Sequence, residues 1–476
     1  MKVEINKKLR AKGKNCYIKS NKHFINLLKY IYLFSMFIIT YHNCRNLINL
    51  SSEINLVIRG SGNQSLLNDS FYIEPSEVFV NGILRDSCKM FCELENEENN
   101  VTLIFNTSIE SCEIMFAELD NIIKIDLLNF DFSIVTSMAF MFKNLANLEK
   151  INFGNINTSS VIDMRGVFYN CTKLEILDLS NFDTSLVTTM EEMLYNCTNL
   201  ISIDLSNLNT KKVQTMRRLI YNCSKLETLN LSSFDTSSVT NMEAIFYGCS
   251  KLSSLDISKF DTSKVENMRY IFRDCTKLKY INLGEMNTTL LSNMECFFYH
   301  CESLESIDLY NLDISKVKNI KFMFLFSLKF LNLSNTNASS IVDMHDLFYN
   351  QSNHFQIISI DLSNSDFSNV KDISSMFRSC LNLIYINLKN INLSSVENMK
   401  NLFNGCESLV SIDLSNLYIP KILNISSMFY DCIYLTYINF TNITISSVKD
   451  ISYMFYNCQS LQSIDLSHLE IGRAHV

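Results

Sequence analysis

Cysteine recurs every 26 residues through most of this chain, at Cys171, Cys197, Cys223, Cys249, Cys275 and Cys301, then at Cys380, Cys406, Cys432 and Cys458. A fixed period of that length means that one short unit is stacked many times, which rules out an ordinary globular domain over the same stretch. One short and one long copy, around residues 320–358, separate the two series. A clear copy runs from Leu174 to Cys197 and reads LEILDLSNFDTSLVTTMEEMLYNC. Leu174, Leu177 and Leu179 fit L-x-x-L-x-L, the alternation of a short strand. Asp183-Thr184-Ser185 turns the chain with cap-type residues. Val187, Met190, Met193, Leu194, Cys197 and Leu200 come next at spacings of three and four, which predicts a short helix or 3-10 turn. Fourteen copies run from Asp126 to Asp465, the last incomplete. The expected fold class is α/β, a solenoid with one short parallel strand plus a short helix or 3-10 turn per coil.

One such unit cannot bury its apolar side alone, whereas stacking makes a continuous core. Strands about 4.8 Å apart would carry fourteen coils over roughly 65 Å. Each coil brings about six apolar side chains, worth roughly 1.5–3 kcal/mol apiece on full burial. Hydrophobic residues make up 47% and charged residues 19%, which excludes both a disordered chain and a polytopic membrane protein. The net charge is -8, yet the first fifty residues hold ten Lys/Arg against Glu4, leaving -17 on the rest. An acidic body repels phosphate backbones, so no nucleic-acid partner is expected.

The N-terminus reads as an address. Eight Lys/Arg between Lys2 and Lys22 precede an apolar run, Tyr30–Tyr41, that extends back to Phe24 if Asn26 and Lys29 are tolerated. Twelve apolar residues suit a signal peptide, while residues 24–41 barely reach a membrane span. The basic flank stays on the cytoplasmic side and sends the rest of the chain outside. Tyr41-His42-Asn43-Cys44 lacks the small residues of a cleavage site, so cleaved signal and retained anchor both stay open. Residues 1–44 are thus the basic region and signal, 45–108 an N-terminal cap and 109–471 the array. Residues 472–476 read as a non-native tail, because the repeat breaks off at Glu470-Ile-Gly-Arg-Ala-His-Val476.

The stretches Leu229–Met242 and Leu255–Met268 almost spell LDLSNFDTSxVTNM, with Phe shortly before the column Cys. In this the chain resembles the BspA-like leucine-rich repeat surface proteins, over about residues 109–471. The resemblance implies a leucine-rich repeat solenoid at the cell surface or secreted, binding extracellular or surface proteins or glycans as an adhesion module. It implies no catalytic residues and no cofactor.

Columns of equivalent residues limit the chemistry further. The Cys column invites a metal or a disulfide ladder, but two N-terminal copies hold Leu119 and Leu145 there, which makes it a packing position. Cys88, Cys92 and Cys112 lie at the start of the array, where a disulfide within the trio would help a cap in an oxidising compartment. The outward strand position reads Asp126, Asn152, Asp178, Asp204, Asn230, Asp256, Asn282, Asp308, Asn332, Asp361, Asn387, Asp413, Asn439, Asp465. Only one adjacent acid pair occurs, as expected if amides separate carboxylates that would repel across strands. A cation site would bring acids together, so no metal is expected. Two residues earlier the column runs Tyr280, Ser306, Phe330, Ser359, Tyr385, Ser411, Tyr437, Ser463. Each ring either lies over its Ser neighbours or serves as a contact anchor. The candidate partner-binding residues are Tyr280, Phe330, Tyr385 and Tyr437 with Asp308, Asp361 and Asp413.

Catalytic signatures are missing: there is no phosphate-binding Gly loop, no G-x-S-x-G and no H-E-x-x-H, and the seven His are scattered. Sequons such as Asn157 and Asn287 matter only in a glycosylating host, and those at Asn170, Asn196 and Asn222 are by-products of the Asn-Cys-Ser/Thr repeat. Two further readings remain beside the adhesion module. One is the recognition part of a larger receptor or enzyme; the other is an intracellular scaffold.

Overall fold

The computed structural model describes residues 51–466, apart from 311–312, 321, 325–327, 350–355 and 444. The apolar segment 24–41 and the tail 472–476 lie outside the described residues. Cap and coils belong to one compact unit that begins at Ser52.

The cap is an antiparallel sheet that continues into the first coils. Strands β1 (Ser52–Arg59), β2 (Gly62–Ser65), β3 (Glu77–Val80), β4 (Ile83–Leu84), β5 (Phe91–Leu94) and β6 (Glu98–Phe105) precede β7 (Ile122–Asp126) and β8 (Lys150–Asn152). They assemble in the order β4-β3-β6-β1-β7-β8, with β2 and β5 paired separately. β1 is antiparallel to β6 and to β7, whereas β7 and β8 are parallel. Alternation explains the placement: Ile54, Leu56 and Ile58 of β1, with Val101, Leu103 and Phe105 of β6, are buried and join the core of the array. A core left open at this end would expose the first coil, so a β-sheet lid with one apolar face is what the stack requires. The sulfurs of Cys88 and Cys92 are joined in a disulfide, and Cys112 is a buried free thiol.

On the strand side, the coil after β8 makes only a single bridge, from Ile176 to Ser202, and from Ser202–Asp204 to Tyr437–Asn439 each coil contributes a three-residue strand. Ser306, Phe330, Ser359 and Tyr385 stand side by side in four consecutive parallel strands. The middle residue of a strand, such as Ile203, Leu255 or Ile386, enters the core, and its two neighbours face outward. A second ladder runs through the residue before the repeated Met. Ser111, Ser137, Asp163, Thr189, Thr215, Asn241, Asn267, Asn293 and Asn319 bridge in succession.

The expected helix or 3-10 turn is absent: among the described residues none is helical, and the array is an all-β, leucine-rich-repeat-like solenoid instead of α/β. The segment from Met190 to Cys197 shows why. Met193 N–H bonds to Met190 C=O (3.2 Å) and Cys197 N–H to Leu194 C=O (3.4 Å), closing two successive four-residue turns. Glu192 and Asn196, third in each turn, have φ of 57° and 58°, the left-handed conformation of a type II turn that a helix does not accept. The intervening N–H groups of Glu192, Leu194 and Asn196 bond to Arg217, Leu219 and Tyr221 of the next coil. Paired turns return apolar residues to one side at intervals of three and four, as a helix does. The apolar spacing alone therefore does not separate them.

The core is regular. Phe246, Phe272, Phe298, Phe324, Phe348, Phe377, Phe403, Phe429 and Phe455 stack in sequence with ring centroids 5.3–6.3 Å apart. Beside them the column cysteines are free thiols, and Cys171 Sγ–H donates to Phe142 C=O (3.1 Å), as Cys197 does to Phe168 (3.1 Å). Burial pushes the Cys197 and Cys249 thiols up to about 12, so they stay protonated and unreactive.

Candidate functional site

The strand face carries the candidate site. Tyr280, Phe330, Tyr385 and Tyr437 are 74%, 50%, 57% and 60% exposed. Each opens a strand triplet, so backbone pairing fixes its position and leaves its side chain in solvent. Tyr280, Phe330 and Tyr385 line one open depression of about 770 Å³, with Ser306, Ser359 and Asp361 between and beside them. Tyr437 lies further along the same face, two strands past Tyr385 in chain order, paired with Ser411–Asp413. The alternation with Ser is what opens space between rings: a Ser at every second coil leaves room that a ring would fill.

The acids of this face are held differently. Asp361 Oδ1 accepts the Ser363 N–H at 2.8 Å, and Asp413 Oδ1 the Ser415 N–H at 2.9 Å. Asp308 closes its strand, and its side chain lies outside the described residues. The amides at this column act in the same way, as at Asn152, Asn282 and Asn439. From Asp126 to Asn439 each such residue with a described side chain turns the chain out of its strand through an Asx turn, which explains why Asp and Asn occupy this column. Amides also link coils, since Asn152 Nδ2 donates to Asp126 Oδ1 at 3.1 Å. The alternation thus supplies donors to acids as well as separating charges. At Asp178, Asp204 and Asp256 the serines hold the carboxyl below the usual range, led by the Ser180 N–H at Asp178 and by the Ser206 and Ser258 hydroxyls at Asp204 and Asp256. The acids therefore belong first to the scaffold, and the rings and serines are what a partner would meet.

Two surface ladders on the turn side were not read from the sequence. Tyr169, Tyr195, Tyr221 and Tyr247 stack nearly parallel at 4.4–4.5 Å, with Arg273 between Tyr247 (5.5 Å) and Tyr299 (4.7 Å). Alongside, Arg217 bridges Glu191 at 2.6 Å and Glu243 at 3.6 Å, and Arg269 reaches Glu295 at 3.1 Å. These rings and charges are half-buried and pack against one another, which suits coil-to-coil cohesion better than contact with a partner. Tyrosine recurring immediately before the Asn-Cys pair was the available signal.

No group of His, Cys, Asp and Glu that could hold a metal ion occurs among the described residues. His300 Nδ1 lies 2.8 Å from Asp274 Oδ1, and His345 Nδ1 2.8 Å from Asp343 Oδ1.

No curated protein matches the chain in sequence. Among solved structures, a leucine-rich repeat protein from Eubacterium ventriosum is similar at 16% identity, covering 68% of this chain and 80% of its own, with a TM-score of 0.33. A leucine-rich repeat protein of Leptospira interrogans is similar at 13% identity, covering 75% and 86%, with a TM-score of 0.25. The family model described as "Mycoplasma protein of unknown function, DUF285" matches residues 86–202, 110–228, 163–255, 195–287, 253–361 and 352–468. With overlapping matches from the end of the cap through the last described coils, the chain belongs to the DUF285 family.

Proposed function

We propose that this protein is a non-enzymatic binding module, displayed at the cell surface or secreted, that holds an extracellular protein or glycan on its strand face. The observation that carries the reading is the row of exposed rings around the 770 Å³ depression between Tyr280 and Tyr385. Rings are costly to leave in water and rigidly placed ones lose little entropy on contact, which makes them the usual anchors of an interface. The basic and apolar N-terminus supports export, and the resemblance to BspA-like surface proteins supports an adhesive role. Replacing Tyr280, Phe330, Tyr385 and Tyr437 together with Ser tests the face, because Ser already occupies the alternate coils and the fold should survive. Attachment of the variant to extracellular-matrix proteins and glycan surfaces is expected to fall at least tenfold with unchanged thermal unfolding. Unaltered attachment would discard the face. Antibody staining of intact against permeabilised cells checks the location, and signal only after permeabilisation would reject surface display.

A further inference from the structure

Which polymer fits the strand face depends on its spacing, an inference that rests on the reading of that face as the binding surface. Phe330 and Tyr385 occupy the same position two strands apart in one uninterrupted parallel ladder, with Ser359 between them. Strands about 4.8 Å apart place the two rings about 9.6 Å apart. Tyr280 precedes Phe330, and Tyr437 comes after Tyr385, by two coils each. A partner lying along this row must repeat an apolar contact at that interval. An extended β-strand partner repeats its side chains about every 6.8 Å and falls out of step after one ring. It also finds no edge to join at Phe330 or Ser359, whose strands are paired on both sides. A polyproline II segment has three residues per turn and rises about 3.1 Å per residue, so it presents the same edge about every 9.3 Å.

The intervening chemistry agrees. Polyproline II has no internal hydrogen bonds, so its carbonyls need donors from solvent or a partner. The hydroxyls of Ser306 and Ser359 line the depression and make no hydrogen bond with another described residue. Aromatic-lined grooves take such segments because proline rings stack on them and the ligand is already ordered. The chain beyond residue 50 carries -17, which favours basic residues in whatever binds. We infer that the strand face between Tyr280 and Tyr437 binds a proline-rich, basic polypeptide in the polyproline II conformation, one turn per pair of coils.

The test uses the full chain and two synthetic peptides of identical composition. One carries four prolines at every third position with two arginines, the other the same four prolines at every fourth position and the same remaining residues. Binding is measured by fluorescence anisotropy to the unaltered protein, to the double variant Phe330→Ser/Tyr385→Ser, and to Tyr195→Ser on the turn side as a folding control. The three-spaced peptide is expected to bind at least tenfold tighter than the four-spaced one. That binding should fall at least tenfold in the double variant and stay unchanged in the control. Equal affinity for both peptides, or no binding of either, overturns the inference. If a matrix protein without such a segment, or a glycan, instead binds and is lost in the double variant, the face stands and the polyproline partner falls. If whatever binds the unaltered protein binds the double variant equally, both fall.

Discussion

At the scale of single residues, the coils are fastened by side chains that look interchangeable in the sequence. Thr158, Thr184, Thr210, Thr236, Thr262 and Thr288 are buried, and each hydroxyl reaches the next coil. Thr210 Oγ1 donates to Asp235 C=O at 2.9 Å while accepting the Asp235 N–H at 2.8 Å, so one hydroxyl satisfies both backbone groups of a residue 25 positions on. Thr210→Val keeps the shape and removes both bonds, leaving two backbone groups without partners. A loss of about 1–3 kcal/mol is expected in urea unfolding. A variant as stable as the parent would mean that water replaces the hydroxyl at no cost. The Asp-Thr-Ser triplet was legible as a turn because cap-type residues advertise one. The inward direction of its middle residue was not, since a polar residue in a turn ordinarily faces solvent. Likewise, the outward acids were legible as a column, but the Asx turn that fixes them depends on a bond to the residue two places on. Charge spacing alone explained the same alternation.

At the scale of the element, the period and the strand register were readable because alternation around one apolar residue has few alternatives. The other side of the coil reads as a helix in the sequence because paired turns share its apolar spacing. The discriminating signal was the column Glu118, Asn144, Asn170, Asn196, Asn222, Gly248 and Asp274, all at positive φ in the structure. Asn, Asp and Gly recurring at one position mark the left-handed conformation, which apolar periodicity does not register. Ser427, with φ of 53°, allows a test whose sign differs between the two conformations. In a turn of this kind Ser427→Gly should be more stable than Ser427→Ala by about 1 kcal/mol, because only glycine avoids the left-handed penalty. In a helix the order would reverse by about the same amount. Thermal unfolding of the two variants decides it. The candidate site was legible as far as its rings, which strand alternation places outward. The depression among them depends on how coils stack, which no single copy encodes.

At the scale of the whole molecule, stability is a sum over coils and their contacts, so an effect repeated at each coil adds up. The Asx-turn carboxylates are such an effect. Asp178, Asp183, Asp204, Asp235, Asp256, Asp261 and Asp450 are all held below the usual carboxylate range by their i+2 serines. A lowered pKa in the folded state gives stability that is complete above the unfolded value near 4 and is lost as pH falls through the folded values. Asp346, raised by burial, works in the opposite direction. Thermal midpoints are therefore expected to stay level between pH 7 and 5 and to drop progressively below about 4. A large drop already between pH 7 and 5.5 would point to groups other than these. On the proposed function, the array has one face for cohesion and another for contact. Covalent labelling of tyrosines, read by mass spectrometry with and without the tightest binder found among matrix proteins, glycans and the proline peptide, tests it most directly. Protection of Tyr280, Tyr385 and Tyr437, with Tyr169, Tyr195, Tyr221 and Tyr247 labelled equally in both samples, is the expected result. Protection confined to the stacked tyrosines of the turn side would contradict it.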